Sequence, residues 1–161
     1  MKYTLTKHEL FLCEYMGTMR RKNAMQFNMD RQYSKRDPYS IDIDGFMAEY
    51  IVAKHLNLMC DFSLNEKKNP TDLITYNGST IDVKSTRSEE KGLSVTGYHR
   101  KNPCDFYILV LCEDDGGDIL GWTDKDNFFL NSTQVIKGIG EKVIPYYEFN
   151  LNKLENIKHF K

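Results

Sequence analysis

Residues 71–86, Thr-Asp-Leu-Ile-Thr-Tyr-Asn-Gly-Ser-Thr-Ile-Asp-Val-Lys-Ser-Thr, leave the backbone few alternatives. Leu73 to Tyr76 is apolar and β-prone, and Thr80 to Thr86 is β-prone again. Between them stands Asn77-Gly78, the dipeptide that most readily takes the positive φ angles of a hairpin turn. The spacing predicts two short strands around that turn. Side chains alternate along a strand, so Ile81 and Val83 share one face while Asp82 and Lys84 share the other. Asp72 starts the first strand, and the hairpin carries its carboxylate towards Asp82. Packing does not require two acids and a lysine at one sheet edge. Taken singly the same residues suit a surface ion-pair network, which contributes only ~0–1 kcal/mol.

The elements around this hairpin point to an α/β chain. Asp105 to Cys112 is a nearly continuous apolar run, as in a central strand buried on both faces. Ile119 to Trp122 follows an acidic Gly116-Gly117 turn and reads as the next strand, with Trp122 in the core. Cys60 to Leu64 reads as a first strand, and residues 65–69 as a polar turn. Leu93 to Tyr98 reads as a strand or a helical start, and Asp124 to Leu130 as a short helix or loop. Val143 to Phe149 reads as a last strand, placed at an edge by Pro145. Leu151 to Phe160 is a short C-terminal helix or tail.

Two helices are predicted before the hairpin. Thr6-Lys7-His8-Glu9 fits a capping box, and Leu10, Cys13, Met16 and Gly17 follow at helical spacing to about Lys22. Asn23 to Arg36 is polar and methionine-rich, a second helix or a mobile arm, and Asp37-Pro38 breaks it. Asp42 to Leu58 is the clearest helix, capped by Asp42 or Asp44. On its 3.6-residue period Glu49 falls with Gly45, Val52, Ala53 and Leu56. A carboxylate on that face either reaches solvent at the stripe's edge or needs a partner.

Composition bounds the function classes. The 161 residues are 40% hydrophobic, enough for one domain with a core. The formal charge of −1 is unevenly spread: eight Lys and Arg against three acids give residues 1–36 a net +5. A basic segment on an acidic body suits a polyanionic partner, or equally a solvated helix face. Cys13, Cys60, Cys104 and Cys112 show no C-x-x-C pair, so neither a structural zinc site nor a disulfide framework is indicated. No apolar stretch is long enough to span a membrane and no cleavable leader is visible. The expectation is a cytoplasmic protein without an organic cofactor.

Thr71-Asp72 after Pro70, followed by Asp82-Val83-Lys84, resembles the motif of the PD-(D/E)xK nuclease superfamily, with one residue inserted after the proline. Gly45-Phe46-Met47-Ala48-Glu49 resembles the G-x-x-[GA]-E helix that precedes the hairpin in many members, and the order helix, then hairpin, is the same. The resemblance covers roughly residues 42–123. It implies a restriction-endonuclease-like mixed β-sheet core flanked by helices over residues 42–161, here preceded by a basic, helical N-terminal arm over 1–41. It implies catalytic roles for Glu49, Asp72, Asp82 and Lys84. Glu49, Asp72, Asp82 and the Val83 carbonyl would hold Mg²⁺, with Mn²⁺ as a substitute. The implied activity is hydrolysis of DNA phosphodiester bonds by a small phage, mobile-element or repair endonuclease acting on structured DNA. The alternative is a non-catalytic nucleic-acid-binding module on the same fold. A homodimer is one way to cut both strands of a duplex, because one such site cuts one strand.

Further basic and polar residues are candidates for phosphate contacts: Arg20, Arg21, Lys22, Arg87, His99, Arg100 and Lys101, with Ser85 and Thr86 beside the motif. Arg20, Arg21 and Lys22 are consecutive, so on a helix they fan out instead of forming one stripe. Ser85, Thr86 and His99 serve equally well as ordinary structural residues. His8, His55 and His159 have no metal-ligand spacing.

Overall fold

The computed structural model describes residues 1–27, 36–64, 71–139 and 142–160. Pro70, the polar turn at 65–69, and Arg31 and Lys35 of the basic segment lie outside the described residues. In chain order the elements are β1 (Lys2–Thr4), α1 (Lys7–Gln26), α2 (Pro38–Leu56), β2 (Leu73–Ile74), β3 (Thr80–Thr86) and β4 (Leu93–Thr96). A 3-10 turn at Gly97–Arg100 leads to β5 (Phe106–Glu113), β6 (Gly116–Asp124), α3 (Lys125–Asn131), β7 (Thr133–Ile139) and β8 (Lys142–Phe149). Two further 3-10 turns, Leu151–Lys153 and Ile157–His159, close the chain.

The result is a mixed α/β fold around a curled five-stranded sheet of order β1-β6-β5-β3-β2. Only β3 and β5 run parallel, and the other pairs are antiparallel. The apolar run at 106–112 is the reason for the layering, since β5 buries both of its faces. Ile108, Val110 and Cys112 join Ile81 and Val83 beneath α1 and α2, where they meet Phe46, Ile51 and Val52. Tyr107 and Leu109 face the other way, onto β4, β8 and Phe128 of α3. The outer sheet there has order β4-β8-β7. Each fully buried Ile, Leu or Phe in these layers stabilises the fold by ~1.5–3 kcal/mol.

The N-terminal segment is built into this core. β1 pairs with β6 at one edge of the central sheet, and Leu5, Cys13 and Met16 are buried in the helix-side cluster. Thr6 and Glu9 form the expected capping box. Gly17 lets α1 cross α2 in close contact: a Cβ there would stand 2.4 Å from the Ile43 Cα and 2.6 Å from its nitrogen.

Several elements differ from the sequence expectation. α2 starts a full turn before Asp42, because Asp37 accepts from the Ser40 N–H and Pro38 takes the first helical position. Asp42 and Asp44 are therefore helix-interior residues. The hairpin turn is longer than two residues: Gly78, at φ 85°, donates to the Thr75 carbonyl, and Thr75 then pairs with Ser79. Residues 60–64 are not a strand. The Ser63 N–H turns back to Asp61 Oδ1, and the Asp61 carbonyl is taken by Arg20. β8 is the middle strand of its sheet despite Pro145, because its ladder with β4 stops at Tyr146 and leaves the proline one β neighbour, Ile136. β7 itself has no counterpart in the sequence reading. Trp122 is half-buried, packed against Phe106 and Phe160, with its indole N–H donated to the Asn156 carbonyl.

Candidate active site

β2 is only two residues long, so the central sheet opens at its edge just where β3 carries Asp82, Val83 and Lys84. Asp72, immediately before β2, fills part of this gap: its Oδ2 accepts the Val83 N–H at 2.8 Å. A residue in a strand sends its N–H and C=O to the same edge, so the Val83 carbonyl faces this opening too. α2 covers the edge from one side with Glu49, which is only 7% exposed. A cleft of about 460 Å³ results, lined by Arg20, Phe46, Glu49, Asp72, Val83, Lys84 and Ser85 among others. Six of the predicted site residues, Arg20, Glu49, Asp72, Val83, Lys84 and Ser85, thus share one cleft, and Asp82, bonded to Lys84, lies outside its lining.

Glu49 has the partner that its buried face demands. Arg20 of α1 grips both of its oxygens, Nη1 to Oε1 at 2.8 Å and Nη2 to Oε2 at 3.0 Å. Arg20 also donates to the Asp61 carbonyl at 2.9 Å and lies over the Phe46 ring. Burial would lower the Arg20 pKa, but the Glu49 carboxylate outweighs it and holds the guanidinium charged.

Asp82 is 1% exposed and points away from the helices, as the alternation predicted. Lys84 Nζ donates to its Oδ1 at 2.6 Å. Its Oδ2 is buried without a hydrogen-bond partner, with His99 Nδ1 3.3 Å away. Burial, together with the adjacent Asp72 carboxylate, pushes the Asp82 pKa up to about 8 against the opposing pull of Lys84. Lys84 is drawn down by burial, but the Asp82 and Asp72 charges more than offset this and raise it. With 28% of its side chain exposed, Lys84 is the member of the pair that stays charged, because water still reaches it. Burial and the Lys84 charge bring His99 down to about 4, so it faces Asp82 as a neutral imidazole at pH 7.

The remaining candidates divide. His99 and Arg20 are drawn into the site. Arg21 is buried and ion-paired with Asp42 at 2.8 Å. Arg87 is committed to Asp44, at 2.7 Å, and to Asp114. Thr86 is buried and exchanges hydrogen bonds with Ser88. Ser85 lines the cleft. Lys22, Arg100 and Lys101 are exposed, with Arg100 resting on Tyr147. The sequence reading missed Tyr107 and Cys104. Tyr107 is the register partner of Asp82 across the parallel β3–β5 pair, and Cys104 has its thiol pushed up to about 11 by burial and the Asp82 charge. The signal for Tyr107 lay in the alternation of 106–112, and only the register reveals it.

Asp72, Asp82 and the Val83 carbonyl form a hard-oxygen set suited to Mg²⁺ or Mn²⁺. The buried, unpartnered Oδ2 of Asp82 beside a second carboxylate fits a cation at this edge. Among the described residues no three acids, histidines or cysteines are already gathered around one point. Glu49 joins such a set only when Arg20 releases it.

Fold and cleft define a mixed α/β protein with a buried acidic cluster opening at a sheet edge, and among the described residues no helix is long and apolar enough to cross a membrane. The chain belongs to DUF5843, a family of unknown function whose model matches residues 1–120. That span takes in every candidate residue from Arg20 to Lys101 and leaves out β7 and β8. No curated protein matches the chain.

Proposed function

We propose that this protein is a metal-dependent DNA endonuclease with a PD-(D/E)xK-type site on a restriction-endonuclease-like core. The observation that carries the reading is the shared cleft: Glu49, Asp72, Val83 and Lys84 line it together, from a helix, a pre-strand residue and a strand. Asp72, Asp82 and the Val83 carbonyl would hold the ion. A bound divalent ion would polarise the scissile phosphate and ease deprotonation of an attacking water. The Lys84 ammonium, partly open to solvent, offsets phosphate charge and orients that water. Arg20, exchanging Glu49 for the phosphate, adds a second cation, and neutral His99 packs beside Asp82 without adding charge.

One observation favours a different reading, a nucleic-acid-binding module without catalysis. Arg20 engages both oxygens of Glu49, as in a site whose charges are already balanced. Cleavage of supercoiled plasmid and of a four-way junction, with Mg²⁺, Mn²⁺ or EDTA, separates the two. Metal-dependent cutting is expected, reduced roughly 10²–10³-fold in Lys84→Ala and Asp72→Asn. Salt-sensitive binding with no cutting under any metal would replace the nuclease with the binding module.

A further inference from the structure

We propose that this protein forms a two-fold dimer by pairing the outer edge of β7 with the same edge of a second copy. The inference stands apart from the nuclease reading and rests on the topology of the outer sheet.

The two sheets end in four strands with a single β neighbour, and these differ in length. β1, β2 and β4 offer three, two and four residues. β7 offers seven, Thr133–Ile139, in unbroken register with β8. Among the described residues nothing pairs with its outer side. Proteins blunt long edges with prolines, bulges or charges. β7 has no proline and no bulge, and Lys137 is its only charged residue.

Pro145 fixes which groups face outward. It stands opposite Ile136, and without an N–H it cannot complete a hydrogen-bonded pair there. A proline in a sheet turns its nitrogen away from the neighbouring strand, and the β4 ladder ends at Tyr146, so no strand needs a donor on that side. Ile136 and Pro145 therefore form a non-hydrogen-bonded pair, and the N–H and C=O of Ile136 point to the free edge. Alternation gives the same direction to Gln134 and Gly138, whereas Val135 and Lys137 bond to β8.

Ile136 is also the middle residue of β7, and this selects a second copy as the occupant. Antiparallel pairing about a two-fold axis at Ile136 sets Ile136 opposite itself and Gln134 opposite Gly138. Each outward N–H and C=O of the three residues then meets its complement. Moving the axis to Gln134 or Gly138 runs the ladder off the end of the strand. In the central register Lys137 falls opposite Val135 and not opposite its own copy, so no like charges meet. Ile136, 70% exposed, gains an apolar neighbour across the axis. The two outer sheets become one, in the order β4-β8-β7-β7-β8-β4.

Sedimentation equilibrium over a concentration series reads the mass, which is 18.9 kDa for one chain. Wild type is expected to approach twice that value. Ile136→Lys and Ile136→Glu each set like charges face to face across the axis, and each alone should associate roughly tenfold more weakly or worse. Mixed in equal amounts the two should pair with each other, because residue 136 meets residue 136. The position is exposed, so both should keep the wild-type circular-dichroism spectrum. Amide exchange followed residue by residue locates the contact: Gln134, Ile136 and Gly138 should gain protection as wild type associates, with Val135 and Lys137 protected throughout. Wild type that stays at 18.9 kDa up to about 100 μM would overturn the inference. So would a dimer whose added protection falls elsewhere, or two folded variants that dimerise alone or fail to pair when mixed.

Discussion

The contact between α1 and α2 makes the sharpest demand on the sequence, and it can be tested with one kind of substitution made at two places. Gly17 and Gly45 are both helix-interior glycines, and alanine at either site gains up to ~1 kcal/mol of intrinsic helix propensity. Their surroundings are opposite. A methyl group at 17 would lie 2.4, 2.6 and 2.9 Å from the Ile43 Cα, the Ile43 nitrogen and the Asp42 carbonyl carbon, whereas a methyl group at 45 meets nothing within 4 Å. Carbon atoms prefer separations of ~3.5–4.0 Å, so Gly17→Ala must push the helices about 1 Å apart. The atoms in its way are backbone, and no rotamer change relieves them.

Overpacking of this kind costs ~1–3 kcal/mol, and more where backbone is the obstacle. The separation also strains the Arg20–Glu49 and Arg21–Asp42 pairs, both within about one turn of Gly17. After the propensity gain, Gly17→Ala should be ~1–3 kcal/mol less stable, which lowers Tm by roughly 2–12 °C for a chain of this length. Gly45→Ala should be more stable by ~0.4–1 kcal/mol. Urea unfolding followed by circular dichroism, with thermal melts beside it, measures both. Ile43→Ala should not rescue Gly17→Ala, since the clash is with the main chain of Ile43. A Gly17→Ala protein as stable as wild type would refute the close crossing, and with it the account of how α1 brings Arg20 to Glu49.

Two further outcomes follow from buried charge. Asp82 titrates near 8 when folded and near 3.9 when unfolded, so between those values the native state holds the extra proton and stability falls as pH rises. Asp82→Asn should flatten that slope, read by urea unfolding between pH 5 and pH 8; calorimetry of wild type should also register close to one proton released per bound Mg²⁺ at pH 7. Arg87→Met leaves buried Asp44 with Arg36 as its partner and should cost ~1–3 kcal/mol by urea unfolding, much of it recovered when Asp44→Asn is added.

What the sequence disclosed was local in origin. Thr6 and Glu9 announce the first cap within four residues, Asn77-Gly78 announces the hairpin, and the unbroken run 106–112 announces a strand covered on both sides. Alternation alone assigned Asp82 and Lys84 to one face. The features it hid depend on partners distant along the chain. Arg20 read as a phosphate contact because nothing near it in sequence marks Glu49, 29 residues on, as its partner. Asp82 meets Tyr107 only through the β3–β5 register, and His99 only because the chain after β4 folds back over the sheet edge. β7, with Gln134, Lys137 and Gly138 among its seven residues, carries no two-residue apolar alternation and is a strand because β8 pairs with it. Pro145 argued for an edge, and the short ladder of β4 removes the objection.

Two groups of buried charge in this fold carry different implications. Around Asp44 the arrangement is balanced: Arg36 and Arg87 face Asp44 and Asp114, and each acid has its cation. Such a cluster closes on itself and serves the fold. At the sheet edge the carboxylates of Glu49, Asp72 and Asp82 are gathered, with Arg20 on Glu49 and Lys84 on Asp82 among the described residues, while His99 stays neutral. Burial and the neighbouring Asp72 carboxylate raise the affinity of Asp82 for a proton. Burying a carboxylate beside another costs several kcal/mol that an apolar side chain at the same position would not. On the proposed nuclease reading, a divalent cation bound here would displace that proton and attract a phosphate. On the same reading, the raised proton affinity of Asp82 is the resting state of a cation-dependent site, and Asp82 is then the residue at which stability and activity should pull in opposite directions.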